Sequence, residues 1–318
     1  MKRRSFYKNI LNHCYQRSAG GVLFYTYSDH LVYFTNFCIL ARQYGIQVLA
    51  ACQMPDHVHD ALVAQKLQDL VFFKKALNAR FAKQYNAHCK TTGPVFETPF
   101  NNAPKTGAKK ARTNLIYIGN NAVERQLVAR AEEYRWNYLA YAVSDHPFSV
   151  PIVIRRSSKA LRVALRVVKA QFQASRPLNY PLLKRVTENL NPAEVQQFTD
   201  YVISTYNVID YAQAIRYFDS YEDMITSMHA TTGSEYDINE VFVGKSDKPY
   251  ATMSRILLQE CNLSDIHEIL SMSIENKWRL FSILRKHTSV MGVQIAAFLH
   301  LPLKKEVPSE MLPFSPSD

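Results

Sequence analysis

The chain has no Cys-x-x-Cys pair, and its five cysteines are scattered at positions 14, 38, 52, 89 and 261. That odd, dispersed set excludes a disulfide framework and a zinc knuckle, and predicts a reducing compartment. No apolar run approaches the roughly 18 residues that a membrane-spanning helix needs. The basic start, MKRRSFYKNILNHCYQ, lacks the unbroken apolar stretch of a signal peptide. A cytoplasmic protein without a membrane partner is expected. Acidic residues are also in short supply: 27 Asp and Glu stand against 38 Lys and Arg, for a formal charge of +11. An excess of that size favours a polyanionic partner.

What is present is enough to fold. Apolar residues make up 47% of the 318 and charged ones 20%, which excludes a disordered chain and allows one large or two ordinary domains. The 19 tyrosines and 17 phenylalanines suit core packing and base stacking alike.

Periodicity predicts a first strand over 6–16, a short extended piece over 20–27, and a helix over 29–44 ending at Gly45. Strands follow over 46–54 and, after a Pro-Asp bend, over 59–64. Residues 66–86 read as an amphipathic helix with Lys and Arg on its wet face. TGPVFETPF (92–100) reads as turn, strand and turn, and NNAPKTGAKK (101–110) as a basic loop. A helix is expected from Ala111 to about Ala131, then a short aromatic-rich helix over 131–142. This order fits an α+β, ferredoxin-like antiparallel sheet with helices on one face.

Prolines and serines in SDHPFSVP break the pattern at 144–151, predicting one domain over 1–145 and a mainly α-helical one over 146–318. In the second, a helix over 157–173 sets Lys159, Arg162, Arg166 and Lys169 on one face, just after Arg155 and Arg156. Such a face is either solvated or a contact for a nucleic-acid backbone. TSVMGVQIAAFLHLP (288–302), with Gly292 near a turn, is a candidate helix-turn-helix element. The tail EVPSEMLPFSPSD is expected to fray.

In MPDHVHD, residues 54–60, His57 and His59 are two apart on a strand, so both rings face one side. Two imidazoles make a partial site for a divalent metal, or they are a chance pair; a third ligand must come from elsewhere. Val58 and Asp60 then point to the core side, where a buried carboxylate needs a partner.

MPDHVHD resembles the HUH motif of the single-tyrosine transposases, including the REP-associated tyrosine transposases. The resemblance extends through HCYQRSAGGVLF (13–24), HLVYFTNFCILARQYGIQVLAACQMPDHVH (30–59), TGPVFETPF (92–100) and YIGNNAVERQLVARAEEYRWNYLAY (117–141), covering roughly residues 5–142. It implies that His57, His59 and Asn121 bind Mg²⁺ or Mn²⁺ and that Tyr117 is the nucleophile. Tyr117 and Asn121 are four apart on a predicted helix, so one face presents both. Gln84, Gln126 and His88 are lesser candidates for the third ligand. Three departures stand out: Asp56 replaces the usual Asn, Asp60 an apolar residue, and Ala122 the usual Pro.

The implied activity is metal-dependent cleavage and strand transfer of single-stranded hairpin or repeat DNA through a 5′-phosphotyrosine, as in DNA transposition and recombination. Lys105, Lys109, Lys110 and Arg112 in and after the basic loop are candidate phosphate contacts, together with the basic helix face. Relatives of this kind often dimerise, and a nucleoid-associated protein is expected. The alternative is a repeat-binding or regulatory protein that has lost cleavage.

Overall fold

Strand β1 (Asn12–Arg17) lies at the centre of an antiparallel sheet with β2 (Gln47–Gln53), β3 (His57–Val63) and β4 (Asn101–Pro104), in the order β2-β3-β1-β4. The computed structural model describes residues 5–231, 244 and 246–302; the Pro/Ser-rich tail lies outside the described residues. Strand alternation sends Cys14, Val58 and Leu62 to one face, where α1 (Tyr27–Gln43) and α2 (Leu67–Cys89) pack. Leu49, Cys52 and Ala61 face the other way, under α3 (Ala108–Glu124). The ferredoxin-like sheet with two helices on one face is therefore present, and α3 adds a layer on the opposite face.

Local chemistry sets the ends of these elements. The backbone N–H of Thr26 donates to Asp29 Oδ2 at 2.8 Å, which fixes the first turn of α1. Gly45, expected to close this helix, has φ of 61°. Three expectations need correction. The fourth strand falls in the stretch read as a basic loop. TGPVFETPF makes only an isolated bridge, Ser18 to Phe96. Residues 131–142 form three 3₁₀ turns (Ala131–Glu133, Arg135–Asn137, Leu139–Ala142) in place of a helix.

Beyond them the described chain is helical: α4 (Lys159–Gln173), α5 (Tyr180–Thr187), α6 (Pro192–Tyr206), α7 (Tyr211–Ile215), α8 (Tyr221–Ala230), α9 (Pro249–Glu260), α10 (Glu268–Ser271), α11 (Ile274–His287) and α12 (Gly292–Leu299). Ser158, Asn179, Asn191, Asp210, Ser220 and Ser273 cap six of these through their side chains. The core around α1 runs on into them, joining Leu31 and Phe34 to Leu161, Phe198, Val202 and Phe298. On the other face, Met224 and Met228 of α8 cover Leu115 and Ile118 of α3. Helices α11 and α12 are joined by residues 288–291; α12 carries no charged side chain, and its Gln294 is buried, donating to Ser246 O at 2.7 Å.

All five cysteines are free thiols, and no helix among the described residues is long and apolar enough to cross a membrane. Gly21, in the loop after β1, has φ of 126°, and a Cβ there would fall on the Ala297 carbonyl oxygen of α12. The same loop is tied by Val22 N–H to Ala297 O (3.2 Å) and by His300 Nε2 to Val22 O (2.6 Å). Gly21→Ala should therefore destabilise the fold by about 2 kcal/mol, seen as a lower urea midpoint. An unchanged midpoint would mean that the α12 contact contributes nothing to stability.

Candidate functional site

β3 directs His57 and His59 to the face covered by α3. The β1–β3 register pairs Tyr15 with His59 and Arg17 with His57, and puts His13 diagonally beside His59. α3 brings Tyr117 and Asn121, one turn apart, down onto the histidines. His57 Nε2 and Asn121 Oδ1 are 3.2 Å apart. The Tyr117 ring centroid lies 5.3 Å from that of His59 and 5.7 Å from that of His13, both edge-on. His57, His59 and Asn121 are buried, and Tyr117 is only 2% exposed. A strand pair and a helix 60 residues further on thus bring together all four residues that the resemblance singled out.

Two flanking groups orient the rings. His57 Nδ1 is 2.6 Å from Asp56 Oδ1. Burial pushes the Asp56 carboxyl up, but the adjoining His57, its hydrogen bond, and Arg17 and Arg125 outweigh that and leave it below the usual carboxylate range. His59 Nδ1 lies 3.0 Å from His13 Nε2, with the rings stacked. Burial, then the charges of His57, His13, Arg17 and Lys74, hold His59 well below the ordinary histidine value. His13 is held down to about 3, by burial first and then Lys105 and Lys74. His13 and His59 are therefore neutral at physiological pH. When His59 Nδ1–H donates to His13, His59 Nε2 keeps its lone pair.

The donor set suits a small divalent ion. With His57 Nδ1–H donating to Asp56, His57 Nε2 is an acceptor, and it faces the acceptor Asn121 Oδ1. Two acceptors at 3.2 Å repel; the contact becomes favourable with a proton on Nε2, with the carboxamide turned to present Nδ2, or with a cation shared between them. Neighbouring ligands of an octahedral ion, each bound at about 2.1 Å, sit about 3 Å apart. Among the described residues Asn121 Nδ2 is buried without a hydrogen-bond partner, so their contacts do not saturate the carboxamide. Gln84 and His88 lie on α2, across the sheet, and Gln126 follows the end of α3. A separate trio, His88, Asp265 and His267, has ligand atoms within 4.8 Å of one another and could also hold a metal ion.

The basic residues divide into two regions. Lys109 and Lys110 are exposed in the first turn of α3, which has no acidic residue, and Lys105 is half-buried just before it. Arg112 is engaged within the protein: it meets Asp223 at 3.1 Å, Ser227 Oγ at 2.6 Å and Tyr217 O at 3.2 Å, and lies over the Phe218 ring. Arg155, Arg156, Lys159, Arg166 and Lys169 are exposed and Arg162 is half-buried. Arg162, Arg166 and Lys169 line a groove with Ile154, Leu165 and Tyr201. This face belongs to α4, which packs on α5 and α6, whereas the histidine site lies between the sheet and α3.

Sequence reasoning did not single out His13, Tyr15 or Arg17. Their signal is alternation: in NHCYQR every second residue carries a ring or a charge, the mark of a polar strand face. It also left Asp56 as a departure, where the structure gives it the His57 ring to hold.

No family model matches the chain, and no curated protein matches it. A solved structure of a REP-associated tyrosine transposase bound to a REP hairpin is a weak, partial match: 14% identity and a TM-score of 0.38, over 43% of this chain and 80% of that one.

Proposed function

We propose that the chain is a metal-dependent, single-stranded DNA endonuclease and strand transferase acting on hairpin or palindromic repeat DNA. The observation that carries this reading is the convergence of His57, His59, Asn121 and Tyr117 in one site. His57 Nε2, His59 Nε2 and Asn121 Oδ1 would hold Mg²⁺ or Mn²⁺. When bound, such an ion polarises the scissile phosphate and stabilises the charge that develops on it.

Tyr117 Oη forms a bond to phosphorus as the bond from phosphorus to the 3′-oxygen breaks. The phosphoryl group remains on the tyrosine as a 5′-phosphotyrosine, and the phenol's proton passes, through solvent, to the departing 3′-oxygen. Attack by another 3′-hydroxyl reverses the step and joins strands. Lys109 and Lys110 would contact phosphates near the nucleophile, and the α4 face would hold the flanking backbone. Because Tyr117 is 2% exposed, α3 or an adjoining turn must move for a phosphate to reach it. The substrate would place the protein in the cytoplasm, at the nucleoid.

That same burial favours a second reading, a repeat-binding protein that does not cleave. Incubation of labelled hairpin DNA with the protein and Mn²⁺ separates the two: the endonuclease gives a covalent protein–DNA adduct, the binder a salt-sensitive complex and no adduct.

Asp56 orients the ring of a proposed ligand. Asp56→Ala should weaken Mn²⁺ binding by about 10- to 100-fold, measured by calorimetry, with less effect on stability than removal of a core side chain. Equal affinity in the variant and the parent chain would remove Asp56 from the site.

A further inference from the structure

We propose that His88, Asp265 and His267 form a second metal site, for one zinc-class divalent ion. The site is independent of the function proposed above. It lies where the N-terminus of α1, the last turn of α2, the start of α5 and the segment before α10 meet.

Each side chain is already held in place. The His88 ring stacks on Tyr180, with centroids 4.1 Å apart and planes 10° apart. His88 Nε2 lies 3.5 Å from Asp265 Oδ2, and His267 Nδ1 lies 2.6 Å from Asp265 Oδ1. His267 Nε2 points the other way, 2.9 and 3.0 Å from the two oxygens of Asp29. Asp29 is fully buried, and it also accepts from Tyr25 N–H (2.9 Å), Thr26 N–H (2.8 Å) and Tyr180 Oη (2.8 Å). Those bonds fix its position, so the His267 ring is anchored by one nitrogen with the other aimed at Asp265. A carboxylate holding the far nitrogen of a ligand imidazole is the usual support of a metal-bound histidine.

Both nitrogens of His267 face carboxylate oxygens, so in the metal-free state both carry hydrogen. A bound ion takes the place of the Nδ1 proton, which leaves to solvent, and draws in Asp265 and His88 as the other two ligands. Two imidazoles and one carboxylate favour Zn²⁺, Co²⁺ or Ni²⁺ over Mg²⁺ and Ca²⁺. The side chains of His88 and Asp265 are 26% and 41% exposed, so the ion can enter from solvent and keep a water as its fourth ligand. His88 is 177 residues before Asp265 (265 − 88), so the ion would clip the C-terminal helices to α2.

The full-length chain, stripped with chelator, is titrated with Co²⁺ and read by visible absorption and by metal content. The parent chain should show a four-coordinate cobalt spectrum that Zn²⁺ displaces, and a rise in Tm with Zn²⁺. His88→Ala should lower the cobalt content by one ion per chain and affinity by about 100-fold, and remove the Tm rise. Asp265→Asn, at a half-exposed position and close to the same shape, should do the same. A His57→Ala/His59→Ala chain should keep this ion, which separates it from the proposed catalytic site. Cobalt content unchanged in both His88→Ala and Asp265→Asn would overturn the proposal, as would loss of all bound cobalt in the His57→Ala/His59→Ala chain.

Discussion

Replacing Tyr117 with phenylalanine should abolish the covalent adduct with hairpin DNA and leave DNA binding unchanged. The ring of Tyr117 packs edge-on against His13 and His59, and Phe keeps that packing. What the substitution removes is Oη, the atom proposed to bond to phosphorus, and at most about 1 kcal/mol of hydrogen bonding. Loss of a covalent nucleophile leaves no alternative route through the same intermediate, so adduct formation should fall by at least about 10³-fold. Binding depends on cations elsewhere, on Lys109, Lys110 and the α4 face, and its salt slope should match that of the parent chain. An adduct that persists in the variant would mean that another side chain is the nucleophile. Tight binding by the parent chain, with no adduct on any of several hairpins, would favour the non-cleaving reading.

The parts of the site legible in the sequence are those that the family resemblance named and that period then placed. Alternation along β3 aligned His57 with His59, and helical spacing aligned Tyr117 with Asn121. The parts that were not legible depend on which strand or helix lies opposite. NNAP has little strand propensity and forms β4 only because β1 offers its free edge; tertiary pairing outweighs local preference there. His13 joins His59 through a register that no local spacing reveals. Arg112 sits in a basic stretch suggestive of phosphate binding, yet its guanidinium is drawn to α8, 111 residues away at Asp223. The α2 helix reads as having all its cations on the wet face, and Lys74 breaks that pattern because the sheet beneath carries a carboxylate.

That carboxylate is Asp60, and it leads to the largest expected loss of stability. Lys74 Nζ meets Asp60 Oδ2 at 2.6 Å, and both side chains are buried between α2 and the sheet. Burial pushes the Asp60 carboxyl above its ordinary value, and Lys74 offsets part of that. Lys74→Met keeps the volume of the side chain and removes its charge, leaving the carboxylate without that cation in an apolar layer. The expected loss is about 3–5 kcal/mol, measured by urea unfolding near neutral pH. The dependence on pH follows from linkage. A group whose folded pKa lies above its unfolded one stabilises the fold below the unfolded value and loses that contribution as pH rises through the folded one. Without Lys74 the folded pKa of Asp60 rises further, so the variant should be least impaired in acid and most impaired at neutral pH. Asp60→Leu combined with Lys74→Met removes both charges from the layer and should recover most of the loss, because a buried pair adds little over a well-packed apolar one. If the double variant were no more stable than Lys74→Met alone, the loss would come from packing around α2 and not from the stranded carboxylate.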